Sequence, residues 1–333
     1  FVAGVGLAAS FPRLAGRRAR RARRHRVSRC SRSPRFAARR HGVDRPELDV
    51  LAGVAGAGLA LAAAVGVNAA TSGLPRGPTV ALLAGLGTVG ASVAAHAGLT
   101  AEEVRARERR LLVGGGVSLA ALVFGSLLAT VAVGFVPETP LATVTVNTAV
   151  ASLGYGLAGV AFVKWYDGGL DVAKPSRRDL KVAGVGVVAI FAVHYALVGL
   201  VLFFDLPQTS HTLVETARDH PEILPALVVL SYLAVGPGEE LLARNGVQKY
   251  LYGAYSRRGA VVVGCLVFTG AHVLAYAGTG ATPGAVLVTL ARLFVVSLVL
   301  GAAYERTDDL FAPVVVHGTY DAVQFAALYV TVA

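Results

Sequence analysis

The feature that most constrains this chain is a series of apolar runs, each about as long as a bilayer is thick. A helix needs about 20 predominantly apolar residues to cross the hydrocarbon core. About nine segments approach or exceed that length, at roughly 50–71, 78–98, 111–136, 142–163, 182–204, 222–236, 259–278, 283–303 and 310–331. Backbone groups in hydrocarbon must be satisfied within the segment, which makes such runs helices. The expected fold is all-α, a polytopic transmembrane bundle of about nine helices. Composition agrees: 55% of the 333 residues are hydrophobic and only 15% charged, with a mean hydropathy of +0.62, where ordinary globular chains carry about 25% charge. The sixth segment is short and ends at Gly236-Pro237-Gly238. This predicts a break in the membrane helix, tolerated where neighbouring protein satisfies the freed backbone groups, with the helix resuming from about residue 238 to 255.

The net charge of +11 is confined to one place. Residues 13–45 hold 14 arginines and one acid, Asp44; the rest of the chain has 17 basic and 19 acidic residues. A basic nucleic-acid-binding surface is therefore not the reading, and Phe36 alone among phenylalanine, tyrosine and tryptophan interleaves the charges, fewer than such a surface on a membrane protein would want. Residues 1–45 form a low-complexity tail that cannot bury a core and is expected to be disordered. It suits a polybasic cytoplasmic segment facing anionic lipid or a segment absent from the mature protein. The two cysteines, Cys30 and Cys265, have no CxxC partner, which excludes a disulfide framework and a cysteine zinc site. Cys265 is read as a small packing residue.

The loops test the helix count. With the N-terminus in the cytoplasm, the inside loops are EEVRARERR (102–110), KWYDGGLDVAKPSRRDLK (164–181), QKYLYGAYSRR (248–258) and ERTDD (305–309). The first three hold nearly all the loop Lys and Arg, as the positive-inside rule requires. The C-terminus is then outside. The Gly-rich runs GVAGAG and GYGLAG match no dinucleotide fingerprint and read as close helix packing.

Ionisable groups at membrane depth are costly and mark function by default. The first five segments have few candidates; His194, Asn68 and Asn147 are read as isolated packing contacts. The last four offer a set: Glu239, Glu240 and Arg244 in GEELLAR, Phe268 and His272 in FTGAH, Arg292, and His317 and Asp321 in HGTYD. Glu240 and Arg244 are four apart and share a helix face, so they can pair; the same spacing joins Phe268 to His272 and His317 to Asp321. Glu239 is rotated by about 100° from Glu240, so the two carboxylates need not share a role. At 1.5 Å per residue, Glu239 lies about 24 Å above the helix end near Tyr255, and His272 about 20 Å above Gly259. His317 and Asp321 lie about 12 and 18 Å above Asp309. Residues from three helices therefore meet at similar depth. A buried ion-pair network explains Glu240 and Arg244, but has no need of two histidines and a second carboxylate. Arg292, with no motif partner, is read as snorkelling or structural.

In order and spacing, Glu239-Glu240-Leu-Leu-Ala-Arg244, Phe268-Thr-Gly-Ala-His272 and His317-Gly-Thr-Tyr-Asp321 resemble the EExxxR, FxxxH and HxxxN/D motifs of the CPBP family of intramembrane proteases. That family includes the type II CAAX prenyl proteases and bacteriocin-immunity proteins. The resemblance covers about residues 222–331 and implies a C-terminal four-helix catalytic core. The chain then divides into the 1–45 tail, a five-helix membrane region at 46–205 and a protease domain at 206–333. The departure is Asp321, where CAAX-processing members usually have Asn, which donates a hydrogen bond to an oxyanion as ionised Asp cannot. The resemblance implies a multi-pass cell-membrane endopeptidase acting on a membrane-associated, in CAAX-type members prenylated, protein or peptide. Glu239 with His272 would polarise the water, and His317 with Asp321 would face the oxyanion. Glu240 and Arg244 would hold the glutamate helix in register. Alternatively Glu239, His272 and His317 bind a divalent metal such as zinc, with Asp321 behind them. A non-catalytic adaptor or immunity protein of the same fold, and less favourably a transporter, are the competing functions; the intact motif set argues against the first, and the lack of a repeat relating the two halves against the second.

Overall fold

The computed structural model describes residues 98–277 and 281–332. The tail 1–45, the first two apolar segments, Asn68 and the GVAGAG run lie outside the described residues. The described residues are helical from end to end, with short connections and no strand among them, the all-α architecture expected from the apolar runs.

The helix starts follow from local chemistry. Helix α1 (Ala101–Val133) opens with a capping box: Thr100 Oγ1 accepts from the Glu103 N–H at 3.2 Å, and Glu103 Oε2 accepts from the Thr100 N–H at 2.8 Å. Helix α2 (Pro140–Trp165) has proline in its first turn and Thr139 as cap. Helix α3 (Arg177–Phe203) repeats the capping box with Ser176 and Asp179. These devices satisfy donors that no helical carbonyl reaches. The EEVRARERR segment expected as a loop is therefore the first turns of α1, its charges projecting from a helix that continues into the apolar run.

A short helix α4 (Thr212–Asp219) precedes α5, which runs from Pro221 to Leu251. The predicted break at Gly236–Gly238 does not occur. Ser231–Val235 and Leu241–Gln248 instead wind as wider π-type turns on either side of Gly236–Glu240, and the Gly236 N–H donates to the Ser231 carbonyl, five residues back. A proline ring clashes with the carbonyl four residues before it; widening the turn before Pro237 accommodates it without ending the helix. Helix α6 (Arg257–Ala271) stops at His272, short of the predicted span, and a four-residue helix α7 (Val273–Tyr276) follows. Helix α8 (Pro283–Thr307) ends at Asp308, whose φ of 51° turns the chain into α9 (Phe311–Val332). Helices α1, α2, α3, α5 and α8 are each long and apolar enough to cross a membrane. The chain is an integral membrane protein.

Close packing positions α5. A Cβ on Gly154 of α2 would meet the Gly125 Cα of α1 at 2.6 Å, and one on Gly159 would meet the Leu242 Cα of α5 at 3.0 Å. The GYGLAG run is thus a packing seam, as small residues in membrane helices allow. On the opposite side, a Cβ on Gly318 of α9 would meet the Ser231 carbonyl of α5 at 3.0 Å, and one on Gly236 the Val314 carbonyl of α9 at 3.2 Å. Helix α5 is gripped between α2 and α9 at the turn that carries Glu239 and Glu240. Ile190, Val296, Leu300 and Val316 form a buried cluster that binds α3, α8 and α9 together.

Candidate active site

The two adjacent glutamates face different ways. Glu240 is fully buried and is not part of the cavity wall; its Oε2 accepts from Arg244 Nε at 2.9 Å, and its Oε1 accepts from His317 Nδ1 at 2.9 Å. Arg244, equally buried, also donates through one terminal nitrogen to the Cys265 sulfur at 3.3 Å, and its guanidinium lies 5.3 Å from the Phe268 ring centre. The Cys265 thiol donates in turn to the Ser297 carbonyl at 3.2 Å. One continuous network thus ties α5, α6, α8 and α9. Cys265, read from sequence as a packing residue, is a link in it; no spacing pattern announced that role.

Glu239 points into a cavity of about 730 Å³, within the usual range for binding pockets. Its Oε2 lies 3.8 Å from His272 Nε2 and 4.0 Å from His317 Nε2, and has no hydrogen-bond partner among the described residues. His272 sits where α6 ends, and its Nδ1 donates to the Phe268 carbonyl at 2.8 Å. That bond fixes the tautomer: Nε2, the nitrogen facing Glu239, carries the lone pair when the ring is neutral. Phe268 therefore serves through its backbone as well as its ring. His317 is held at both nitrogens, with Nδ1 on Glu240 and Nε2 3.4 Å from Asp321 Oδ2. A ring with a carboxylate at each nitrogen is suited to the imidazolium form, in which both nitrogens carry hydrogen.

The six candidate catalytic residues converge, with Phe268 beside them. Glu239, His272, His317 and Asp321 line the cavity, and Glu240 and Arg244 stand behind it. His194 lines it as well, sharing hydrogen bonds with the Tyr320 hydroxyl at 2.8 Å and Gln324 at 3.3 Å. Asn147 also reaches the cavity. Arg292 does not snorkel away: it lines the same cavity and bonds Gln208. Sequence reasoning passed over Asn245, which is fully buried beside Arg244 and donates to Asp171 Oδ2 at 3.0 Å and the Tyr304 hydroxyl at 3.2 Å. A second polar residue next to a membrane arginine was the available signal.

The proposed metal set fits poorly. Among the described residues no group of three His, Cys, Asp or Glu side chains is arranged to hold a metal ion. Zinc needs ligand atoms at about 2.0–2.2 Å in tetrahedral array, which places them about 3.3–3.6 Å apart; Glu239 is 3.8 and 4.0 Å from the two histidines. A ligating histidine must also offer a lone pair, and both nitrogens of His317 already face carboxylates.

The segment between α3 and α5 closes the other side of the cavity. His211 caps α4, its Nδ1 accepting from the Leu213 N–H at 3.0 Å, with its ring 5.1 Å from that of Tyr276. Burial, and then the neighbouring His272, push the His211 imidazole down to about 4, so it stays neutral, as an accepting cap must.

No curated protein and no solved structure matches the chain. Residues 221–323, which run from the start of α5 into α9 and hold every motif residue above, match the family model described as Type II CAAX prenyl endopeptidase Rce1-like.

Proposed function

We propose that the protein is a membrane-embedded endopeptidase that hydrolyses a peptide bond of a membrane-associated protein or peptide, using a water activated directly by Glu239 and His272. The observation that supports this most is the 3.8 Å gap between Glu239 Oε2 and His272 Nε2. It is too long for a hydrogen bond, yet one oxygen atom can sit about 2.8 Å from both acceptors.

The chemistry follows from those positions. A water in the gap donates one hydrogen to His272 Nε2 and the other to Glu239 Oε2. As its oxygen bonds to the scissile carbonyl carbon, Glu239 takes the proton and the carbonyl electrons move onto oxygen. The resulting oxyanion is met by the His317 imidazolium, 4.0 Å from Glu239 through its Nε2. Collapse breaks the C–N bond, and the amine leaves with the proton held by Glu239. General-base assistance contributes typically 10²–10⁴-fold, and one oxyanion donor about 10²–10³-fold. Glu240, fixed by Arg244, holds His317 from behind.

The substrate reading is a chain anchored at the bilayer, prenylated as in CAAX-type members, with region 206–333 supplying the reaction. We place the N-terminus in the cytoplasm of a cell membrane and the C-terminus outside, on the strength of the basic inside segments. The test is peptide cleavage in proteoliposomes by the wild type and by Glu239→Ala and His272→Ala. Each variant is expected to lose at least about 10²-fold in kcat while melting like the wild type. Near-wild-type turnover in either variant, on a substrate the wild type cleaves, overturns the assignment.

A further inference from the structure

Tyr155, Tyr276 and Tyr320 line the cavity. The Tyr320 hydroxyl shares a hydrogen bond with His194 at 2.8 Å, and the Tyr276 ring rests against His211 in the segment that closes the cavity. Tyr155 is different. It belongs to α2, outside the residues 221–323 that match the family model. Among the described residues its hydroxyl has no hydrogen-bond partner.

The packing of α2 on α5 brings this hydroxyl to the reaction centre. A Cβ on Gly156 would meet the Gly238 Cα at 3.5 Å, and one on Gly238 would meet the Ser152 backbone carbon at 2.9 Å. Tyr155 lies between those two contacts on α2, level with the turn of α5 that carries Glu239. Glu239 is also the one charge that bears on its hydroxyl. The ring is seated: a Cβ on Gly125 of α1 would meet it at 2.8 Å, so the notch in α1 fixes where the hydroxyl points. Phenylalanine would fill that notch equally well, and a hydroxyl placed on an apolar wall without a partner costs free energy. Packing therefore explains the ring and leaves the hydroxyl unexplained.

We propose that the Tyr155 hydroxyl donates a hydrogen bond to a substrate main-chain carbonyl next to the scissile peptide group. This rests on the endopeptidase reading above. A peptide seated in the cavity gives up water from its main-chain groups, and each then needs a partner on the wall. A phenol is a donor held on a rigid ring, and a contact to the main chain serves any side-chain sequence. Glu239 and His272 act on the scissile group while Tyr155 holds its neighbour, which limits how the reacting carbonyl can turn away from the water. Helix α2 is then a wall of the substrate site and not only the support of α5.

The experiment compares the wild type and Tyr155→Phe in proteoliposomes on quenched-fluorescent, prenylated peptides. One peptide is all-amide; in the others one peptide group flanking the scissile bond is replaced by an ester, whose carbonyl is a weaker acceptor. Tyr155→Phe is expected to lose about 10-fold in kcat/KM on the all-amide peptide and to melt like the wild type. At one flanking position the ester should cost the wild type at least about threefold more than it costs Tyr155→Phe, the coupling of two groups in contact. At every other position the two enzymes should lose alike. Wild-type turnover in Tyr155→Phe overturns the role of Tyr155. So does a loss that couples to no ester position, or a lowered melting temperature, either of which makes the hydroxyl structural. These three results leave the endopeptidase reading standing, since Glu239→Ala tests it separately. Cleavage of no peptide by the wild type overturns both.

Discussion

Replacing Arg244 with alanine is the most severe perturbation the structure suggests short of touching the cavity. Arg244 and Glu240 are each fully buried and 2.9 Å apart. Removing one partner of such a pair strands the other charge at a cost of about 3–5 kcal/mol. The guanidinium's contact with the Phe268 ring, at 5.3 Å, is lost as well, adding about 1 kcal/mol. Against this, His317 Nδ1 remains 2.9 Å from Glu240 and keeps part of its charge compensated. The net expected loss is about 4 kcal/mol. Reversible denaturation in detergent micelles measures it, and a double-mutant cycle isolates the pair. Arg244→Met with Glu240→Gln removes both charges, so the double variant should be more stable than the sum of the single losses predicts, by about 2–3 kcal/mol. Unchanged stability in Arg244→Ala, or strict additivity in the cycle, would refute the buried pair.

Gly238→Ala should destabilise the protein by about 1–3 kcal/mol and lower activity at the adjacent Glu239, because the new Cβ would meet the Ser152 backbone carbon at 2.9 Å; Gly115→Ala, with open space at its Cβ, should be neutral. An equal effect of the two on melting would count against the seam. Asp321→Asn should lower kcat more than KM, and Asp321→Glu should recover part of it, since the carboxylate 3.4 Å from His317 Nε2 supports a charged ring; a change in KM alone would make Asp321 a substrate contact instead. His211, held near 4 when folded against about 6.5 unfolded, should contribute stability that is complete above about pH 6.5 and lost as pH falls toward 4. Hydrogen exchange across residues 205–220 at pH 7 and 4.5 should show this slope, and His211→Asn, which keeps a capping acceptor, should flatten it; an unchanged slope would assign it to another group. Prolonged chelation should leave turnover within about twofold, because the donor spacing is wrong for tetrahedral zinc; loss of activity restored by added zinc would reverse that reading.

The site was legible where its physics is local. Spacing alone put Glu240 and Arg244 on one face, and counting 1.5 Å per residue brought His272 and His317 to the depth of Glu239. Both hold because they depend only on helical geometry. What failed depended on the neighbours. Pro237 between two glycines reads as a helix breaker, but the widened turn from Ser231 to Val235 absorbs the ring. Arg292 reads as a snorkelling cation because its sequence neighbours are apolar, yet its side chain lines a cavity that residues from every other described helix help to build. Cys265 and Asn245 gained their roles from partners 21 and 74 residues away, beyond any periodicity.

The difference between the two glutamates is the clearest product of that tertiary context. A rotation of about 100° between neighbours is all the sequence specifies. The grip of α2 and α9 on α5 decides which rotation faces which wall. Glu240 turns into the protein, where Arg244 and His317 balance its charge; Glu239 turns into the cavity, where its Oε2 keeps no hydrogen bond among the described residues. An unpaired carboxylate oxygen inside a membrane protein costs free energy that a stability network would not spend. The same oxygen is what general-base chemistry needs, a basic atom held within reach of a water and engaged by nothing else. The structural cost at Glu239 and the catalytic role proposed for it therefore have one origin, the close glycine packing that fixes the rotation of α5.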